Sequence, residues 1–214
     1  MSKPLHPPYR LRAAATGTER ARLEAFIQAA YLQAFEARIP HFLPLLLGLY
    51  QSDGDLVAAC GLQFADEAPL YLEQYLDQPV EQRLGAHCRR PVPRAGIVEI
   101  GNLATSAPGN GRLMFAAICQ QLHRQGLEWV VFTATRGLLN SFHRLHLNPA
   151  MLADATAERL GPDAECWGSY YRHQPRVMAG ALAEGQRILA ENSLLLSLIA
   201  PGPDLHPRSR EARS

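Results

Sequence analysis

The groups in this chain whose types and spacing could do chemistry together lie between residues 96 and 125. Gly109, Asn110 and Gly111 form a glycine loop, Arg112 follows, and a long amphipathic helix begins directly behind them. A helix that starts after such a loop turns unpaired backbone N–H groups and the positive end of its dipole toward an arriving anion, which is a phosphate-binding geometry. Charge at a helix terminus is worth about 0.3–1 kcal/mol, so Arg112 and several N–H groups must act together. The apolar strand before the loop, residues 97–104, carries Glu99 and Asn102, which brings a carboxylate and an amide to the same end of the structure. Glu99 is the one acidic residue between 96 and 125, and that composition favours an anion at the helix start.

Each of these residues has a second reading. Glu99 inside an apolar run is penalised as an anion, which raises its pKa toward the range of a general base; alternatively it faces solvent or pairs with an Arg. Asn102 can donate or accept at a reacting centre, or be a buried amide satisfied by backbone. Glu73 offers a second acid beside Tyr75, a side chain suited to lining an acceptor or acyl pocket, yet a carboxylate at a helix start is also a routine dipole partner. Thr133 and Thr135 alternate along a strand and so face one side, where they could contact substrate, although Thr in a strand also reflects β-propensity alone.

The elements that must hold these groups follow from patterning. Residues 9–14 read as a first strand, and Thr16 with Glu19 makes a capping box for a helix whose stripe is Leu23, Phe26, Ile27, Ala30, Tyr31, Ala34 and Phe35. Residues 45–51 and 56–64 read as a hairpin about Ser52, Asp53, Gly54 and Asp55. A short helix is expected over 73–84 and a Pro-interrupted loop over 89–94. Beyond the central strand, loop and helix, residues 129–134 read as a parallel neighbouring strand and 138–147 as a shorter helix. Residues 167–171 are expected as a last strand and 176–192 as a helix, with Gly180 and Gly185 as irregularities in it. From Pro201 onward the polar, Pro- and Arg-containing sequence predicts an unordered tail, leaving one domain over residues 1–200.

Composition excludes several classes. The 214 residues are 47% hydrophobic, enough for a sizeable core, and 21 Lys plus Arg against 20 Asp plus Glu give a net charge of +1, no field for a polyanion. Nucleic acid is therefore not an expected partner. No run of about 18 apolar residues is present to span a bilayer and no leader pattern is visible, so a cytoplasmic location is expected. Cys60, Cys88, Cys119 and Cys166 are too scattered for zinc or redox motifs, and His41, His143 and His146 lack the spacing of a metal pair. No metal is expected.

The order strand, helix, hairpin, strand, glycine loop, helix, strand, helix, strand resembles the GNAT superfamily of N-acetyltransferases. The resemblance implies an α/β fold of the α+β kind, with a mixed, mostly antiparallel central sheet flanked by helices, and a loop that cradles the pyrophosphate of coenzyme A. Gly109 and Gly111 match that loop, while Ser106 stands where Gln or Arg is usual and Phe142 where many members carry a Tyr that protonates the departing thiolate. A closer resemblance covers most of the chain. The runs Leu72-Glu73-Gln74-Tyr75-Leu76-Asp77, Ile97-Val98-Glu99-Ile100-Gly101-Asn102-Leu103-Ala104, Phe132-Thr133-Ala134-Thr135 and Trp167-Gly168-Ser169-Tyr170-Tyr171 look like the motifs of the bacterial thermostable hemolysin family. The central strand is also similar to that of acyl-homoserine-lactone autoinducer synthases, with Asn102 where those carry an Arg.

These resemblances imply an acyltransferase that takes an acyl thioester, from acyl-CoA or the phosphopantetheine of an acyl carrier protein, and passes the acyl group to a small amine such as an amino acid. An amine of pKa about 10.4 is below about 0.1% neutral at pH 7, so a base such as Glu99 is expected to help it attack. Gly109, Asn110, Gly111 and Arg112 would bind the donor, Glu99, Asn102 and Glu73 would do the chemistry, and Tyr75, Thr133, Thr135 and Phe142 would line the substrate. The alternative is a non-catalytic, membrane-active effector, resting on the family name and the apolar run at residues 194–199.

Overall fold

Strand β1 (Tyr9–Ala13) leads into helix α1 (Gly17–Phe35) in the computed structural model, which describes residues 8–191 and 193–205. The helix starts at its expected capping box: Thr16 Oγ1 accepts the Glu19 N–H at 3.2 Å while the Glu19 carboxylate accepts the Thr16 N–H at 3.1 Å, satisfying two otherwise orphaned donors. The expected hairpin is β2 (Leu45–Gln51) and β3 (Leu56–Phe64), turning through Gly54, whose φ of 96° suits glycine.

Seven strands form one sheet in the order β1-β2-β3-β4-β5-β7-β6. Strand β4 (Ile97–Thr105) pairs antiparallel with β3 and parallel with β5 (Trp129–Ala134), the two parallel strands being joined through α3 (Asn110–Arg124). The other four strand pairs of the sheet are antiparallel. Alternation along the strands divides the core between two faces. Val98, Ile100, Val130 and Phe132 pack with α3, with α4 (Arg136–His143) and with α5 (Leu182–Glu191). Ile97, Val131 and Val177 pack with α1 and with α2 (Val80–Cys88) on the other face.

Four expectations are corrected. Residues 167–171 are not a strand: they run from the end of one 3-10 segment, Ala157–Trp167, through a turn at Gly168 and Ser169 into a second, Tyr170–His173. Their aromatic content mimics a strand, but the Ser169 N–H donates to the Phe35 carbonyl at 2.7 Å, and Gly168, at φ 53°, sits so close that a Cβ there would collide with that carbonyl. The helix expected over 176–192 begins as strand β7 (Arg176–Ala181), because β5 and β6 (Ala150–Asp154) bracket it, and the sequence of β6 gave no strand signal. The helix expected over 73–84 is a 3-10 turn, Tyr71–Tyr75, followed by α2, which starts behind Pro79. The tail expected from Pro201 is described as far as Leu205, which is fully buried and whose N–H donates to Gln125 Oε1 at 3.3 Å; this one apolar anchor seats residues 201–205, and residues 206–214 lie outside the described part. Of the apolar run at 194–199, short helix α6 (Ser193–Ser197) exposes Leu194, whereas Ile199 is buried and Leu195, Leu196 and Leu198 pack on the core.

One irregularity shapes the middle of the sheet. Ala59 pairs with Ala104 and Gly61 with Gly101, so β4 carries one residue more than β3 between these pairs. That is a bulge, which bends the strand. Asn102, within it, has a left-handed φ of 53°. Its Oδ1 accepts the Leu43 N–H at 2.9 Å and its Nδ2 donates to the His41 carbonyl at 3.3 Å. A Cβ at Gly61 or Gly101 would lie 2.7 or 2.8 Å from Leu43 side-chain atoms, so glycine lets that loop seat against the sheet. Replacing Asn102 with Ala is expected to lower the unfolding free energy by about 2–3 kcal/mol, combining left-handed strain with two lost hydrogen bonds. Asn102→Gly, which keeps the conformation, is expected to cost about 1 kcal/mol. Urea denaturation compares them, and equal losses would show that strain contributes nothing.

Candidate active site

The registered pairing of β4 with β5 runs from Ile97 and Trp129 to Ile100 and Phe132, and beyond it the strands part. Past that point neither strand finds its ladder partner in the other. The gap opens into a cleft of about 600 Å3. Its walls come from both faces of the sheet: Gly111, Arg112, Phe115 and Ile118 of α3 and Leu138, Ser141 and Phe142 of α4 on one, Tyr31 and Phe35 of α1 with Tyr170 on the other. The cleft therefore passes through the sheet.

Gly109, Gly111, Arg112, Asn102, Thr133, Thr135 and Phe142 all line it. Gly109 caps α3 at φ 98°, a conformation L side chains avoid, whereas a Cβ at Gly111 would make only an ordinary 3.5 Å contact with Thr105. Asn110 does not line the cleft. Its Nδ2 donates to Ser106 Oγ at 3.1 Å and to the Val57 carbonyl at 3.4 Å, and Ser106 Oγ donates to the same carbonyl at 3.2 Å, so both residues tie the glycine loop to β3. Phe142 is buried against Phe115 and Phe132, with ring centres 4.6 and 5.2 Å apart. It has no proton to give.

Among the described residues lining the cleft, the charged ones are Arg112 and Arg144, and Arg144 Nη2 donates to Ser141 Oγ at 3.2 Å. Two cations on one side, beside the N-terminus of a 15-residue helix, make that side a place for anionic groups. Elsewhere the lining is mostly apolar or aromatic. Sequence reasoning passed over Arg144, Phe115, Tyr31, Phe35 and Tyr170. Tyr31 and Phe35 read as core stripe, and the motif around Tyr170 was the signal that could have found it.

The three remaining candidates lie apart from the cleft. Glu73 is held by Arg94, with contacts of 2.7 and 3.0 Å, and accepts the Leu70 and Val80 N–H groups at 2.8 and 2.9 Å. Burial pushes its carboxyl up, but Arg94 and the two N–H groups outweigh this and hold it below the ordinary range. It is a structural anion. Tyr75 is buried, its hydroxyl 2.6 Å from that of Tyr171, and burial followed by that contact raises its pKa. Glu99 is 3% exposed and accepts the Leu72 N–H at 3.2 and 3.4 Å on its two oxygens. Burial pushes its pKa up from 4.5 to about 8, against the lowering effect of the Leu72 and Tyr71 N–H groups. Glu99 is one residue from the cleft-lining Ile100 without itself lining the cleft.

The profile of thermostable hemolysins matches residues 13–186. The chain belongs to the thermostable hemolysin family. No curated protein matches it. Solved structures of similar fold include a CoA-dependent acyl-homoserine lactone synthase, BjaI, with SAM and isopentyl-CoA (TM-score 0.62, 15% identity, covering 97% of this chain and 99% of that one). FeeM, an N-acyl amino acid synthase from uncultured soil microbes, matches with a TM-score of 0.55 at 13% identity, covering 82% of this chain and 93% of that one. The AHL synthase LasI matches at 0.53 and 9% identity, covering 83% and 90%. This member of the thermostable hemolysin family thus has an acyltransferase-like fold. Among its described residues no helix is long and apolar enough to cross a membrane, and no group of three or more His, Cys, Asp or Glu could hold a metal ion.

Glu99 gives the folded protein a distinctive pH dependence. The native state keeps a proton there that the unfolded chain releases near pH 4.5, so stability falls as pH rises from about 4.5 toward about 8. Glu99→Gln does not titrate at this position. Urea midpoints across that interval are expected to decline for the wild type relative to the variant, and parallel curves would contradict the raised pKa.

Proposed function

We propose that this protein is an acyltransferase that moves an acyl group from an acyl thioester, either acyl-CoA or the phosphopantetheine arm of an acyl carrier protein, to a small amine such as an amino acid. The observation that carries the reading is the cleft through the parted β4 and β5, with cations and a helix N-terminus on one side and an aromatic wall on the other. The fold shared with acyl-homoserine lactone and N-acyl amino acid synthases supports it.

In this reading Arg112, Arg144 and the first N–H groups of α3 hold the donor's phosphates. Backbone groups freed where the strands part pair with the amides of the pantetheine arm, and N–H groups near Asn102 face the developing oxyanion. The amine nitrogen attacks the thioester carbonyl, the C–N bond forms, and the C–S bond breaks with its electron pair on sulfur. A thiol with a pKa near 8.5 leaves as thiolate at little cost, which suits a site where Phe142 replaces an acid. The proton released by the amine goes to Glu99, through an intervening water because Glu99 does not line the cleft. At pH 7 a carboxyl of pKa about 8 is about one-tenth ionised, so turnover rises with pH toward that value.

Thermal-shift titration with CoA, acyl-CoA and acyl carrier protein tests the donor. A hundredfold excess over Kd adds about 2.7 kcal/mol of stability, and the double variant Arg112→Ala/Arg144→Ala is expected to lose most of the shift. No shift with any of these donors would sink the reading. Glu99→Gln is expected to keep the shift and lose turnover, and full activity in it would remove Glu99 from the mechanism.

A further inference from the structure

A second cavity, of about 110 Å3, lies behind the three phenylalanines. Phe115, Phe132 and Phe142 line both spaces, so their rings form the partition between cleft and cavity. The partition is made of side chains in mutual contact, with Phe142 touching both of the others, and side chains of this kind move between discrete rotamers. Beyond it the walls are Cys119, Val130, Leu147, Ala179 and Ile188, with His87, Asn148 and Glu184 as the polar members of the lining. An apolar cavity of about 150 Å3 takes a benzene ring, so the apolar side of this space has room for a few methylenes.

Two of the walls are glycines that weaken the elements they sit in: Gly180 lies in β7 and Gly185 in α5. A Cβ at Gly180 would meet only Val130 Cγ2, at an ordinary 3.5 Å, and its backbone is not left-handed. Neither crowding nor conformation demands glycine there. What the missing side chain leaves is the space.

We infer that this cavity receives the far end of the donor's acyl chain, and that Phe142 as movable partition and Gly180 as open wall set the chain length accepted. The inference rests on the reading of the cleft as the thioester site. The occupant it commits to is a medium-length alkyl chain entering past the phenylalanines, continuous with a carbonyl held in the cleft.

The test uses the full chain and two ligand series by thermal shift and calorimetry: acetyl-, butyryl-, hexanoyl-, octanoyl- and decanoyl-CoA, and the free fatty acids of the same lengths. Each methylene that enters is expected to strengthen binding about fourfold until the cavity is full. Gly180→Leu, placed where there is room for a side chain, is expected to end the rise at shorter chains, and Phe142→Ala to extend it to longer ones. Unliganded melting curves establish that both variants fold, and Gly180→Ala gives a milder filling. If the limit stays the same in all variants, or if neither series binds the wild type, the inference is overturned. If the limit moves while free CoA does not bind and the esters bind no tighter than the acids, the cavity stands as an alkyl-chain site and it is the donor reading that falls.

Discussion

The extra residue in β4 is the constraint on which the rest of the molecule depends. With it, Asn102 adopts a left-handed backbone, β4 bends, and the pairing stops at Ile100. The bend is held from outside the strand by the Asn102 amide on the 41–43 loop, and that loop is pinned in turn by Arg20, whose Nη1 donates to the Pro44 carbonyl at 2.7 Å. Gly61 and Gly101 complete the fit by leaving room for Leu43. The left-handed residue, the braced loop and the cleft are one feature viewed at three scales.

Two carboxylates show how surroundings alone assign a part. Glu73 and Glu99 lie close enough for the charge of one to act on the other. Glu73 has a guanidinium and two backbone N–H groups and is held as an anion, joining the Tyr71–Tyr75 segment to Arg94. Glu99 accepts backbone N–H groups of that same segment with no cation among the described groups that act on it, and burial keeps it protonated at neutral pH. The pair is thus divided into a fixed charge and a titrating group, brought together across 26 residues of chain.

Much of this was legible in the sequence where the signal was local. The capping box at Thr16 and Glu19, the Asp-Gly hairpin, and the succession of β4, glycine loop, α3 and β5 depend on neighbouring residues and came through. What failed depended on distant partners. The aromatic run at residues 167–171 reads as a strand, yet its backbone is claimed by the end of α1; residues 176–181 read as helix, yet β5 and β6 recruit them as strand. At the site, Gly109, Gly111, Arg112, Thr133 and Thr135 could be placed because they belong to one strand-loop-helix-strand unit. Tyr31, Phe35 and Tyr170 could not, because they reach the cleft from the opposite face: helical periodicity marks Tyr31 and Phe35 only as core, and Tyr170 lies in the run that reads as a strand. Asn110 and Glu73 stand outside the cleft for a related reason: their residue types suit a ligand, and only the fold reveals that they are bonded to Ser106 and Arg94.

A passage walled by α3 and α4 on one face and by α1 and Tyr170 on the other has a kinetic consequence. Two reactants approaching from opposite sides of a single sheet need not pass one another, and neither has to leave before the other arrives. For the acyl transfer proposed above, both can be resident when the bond forms, and no acyl group need be carried on the protein between two half-reactions. An enzyme built on this plan works through a ternary complex, its double-reciprocal plots intersecting rather than running parallel.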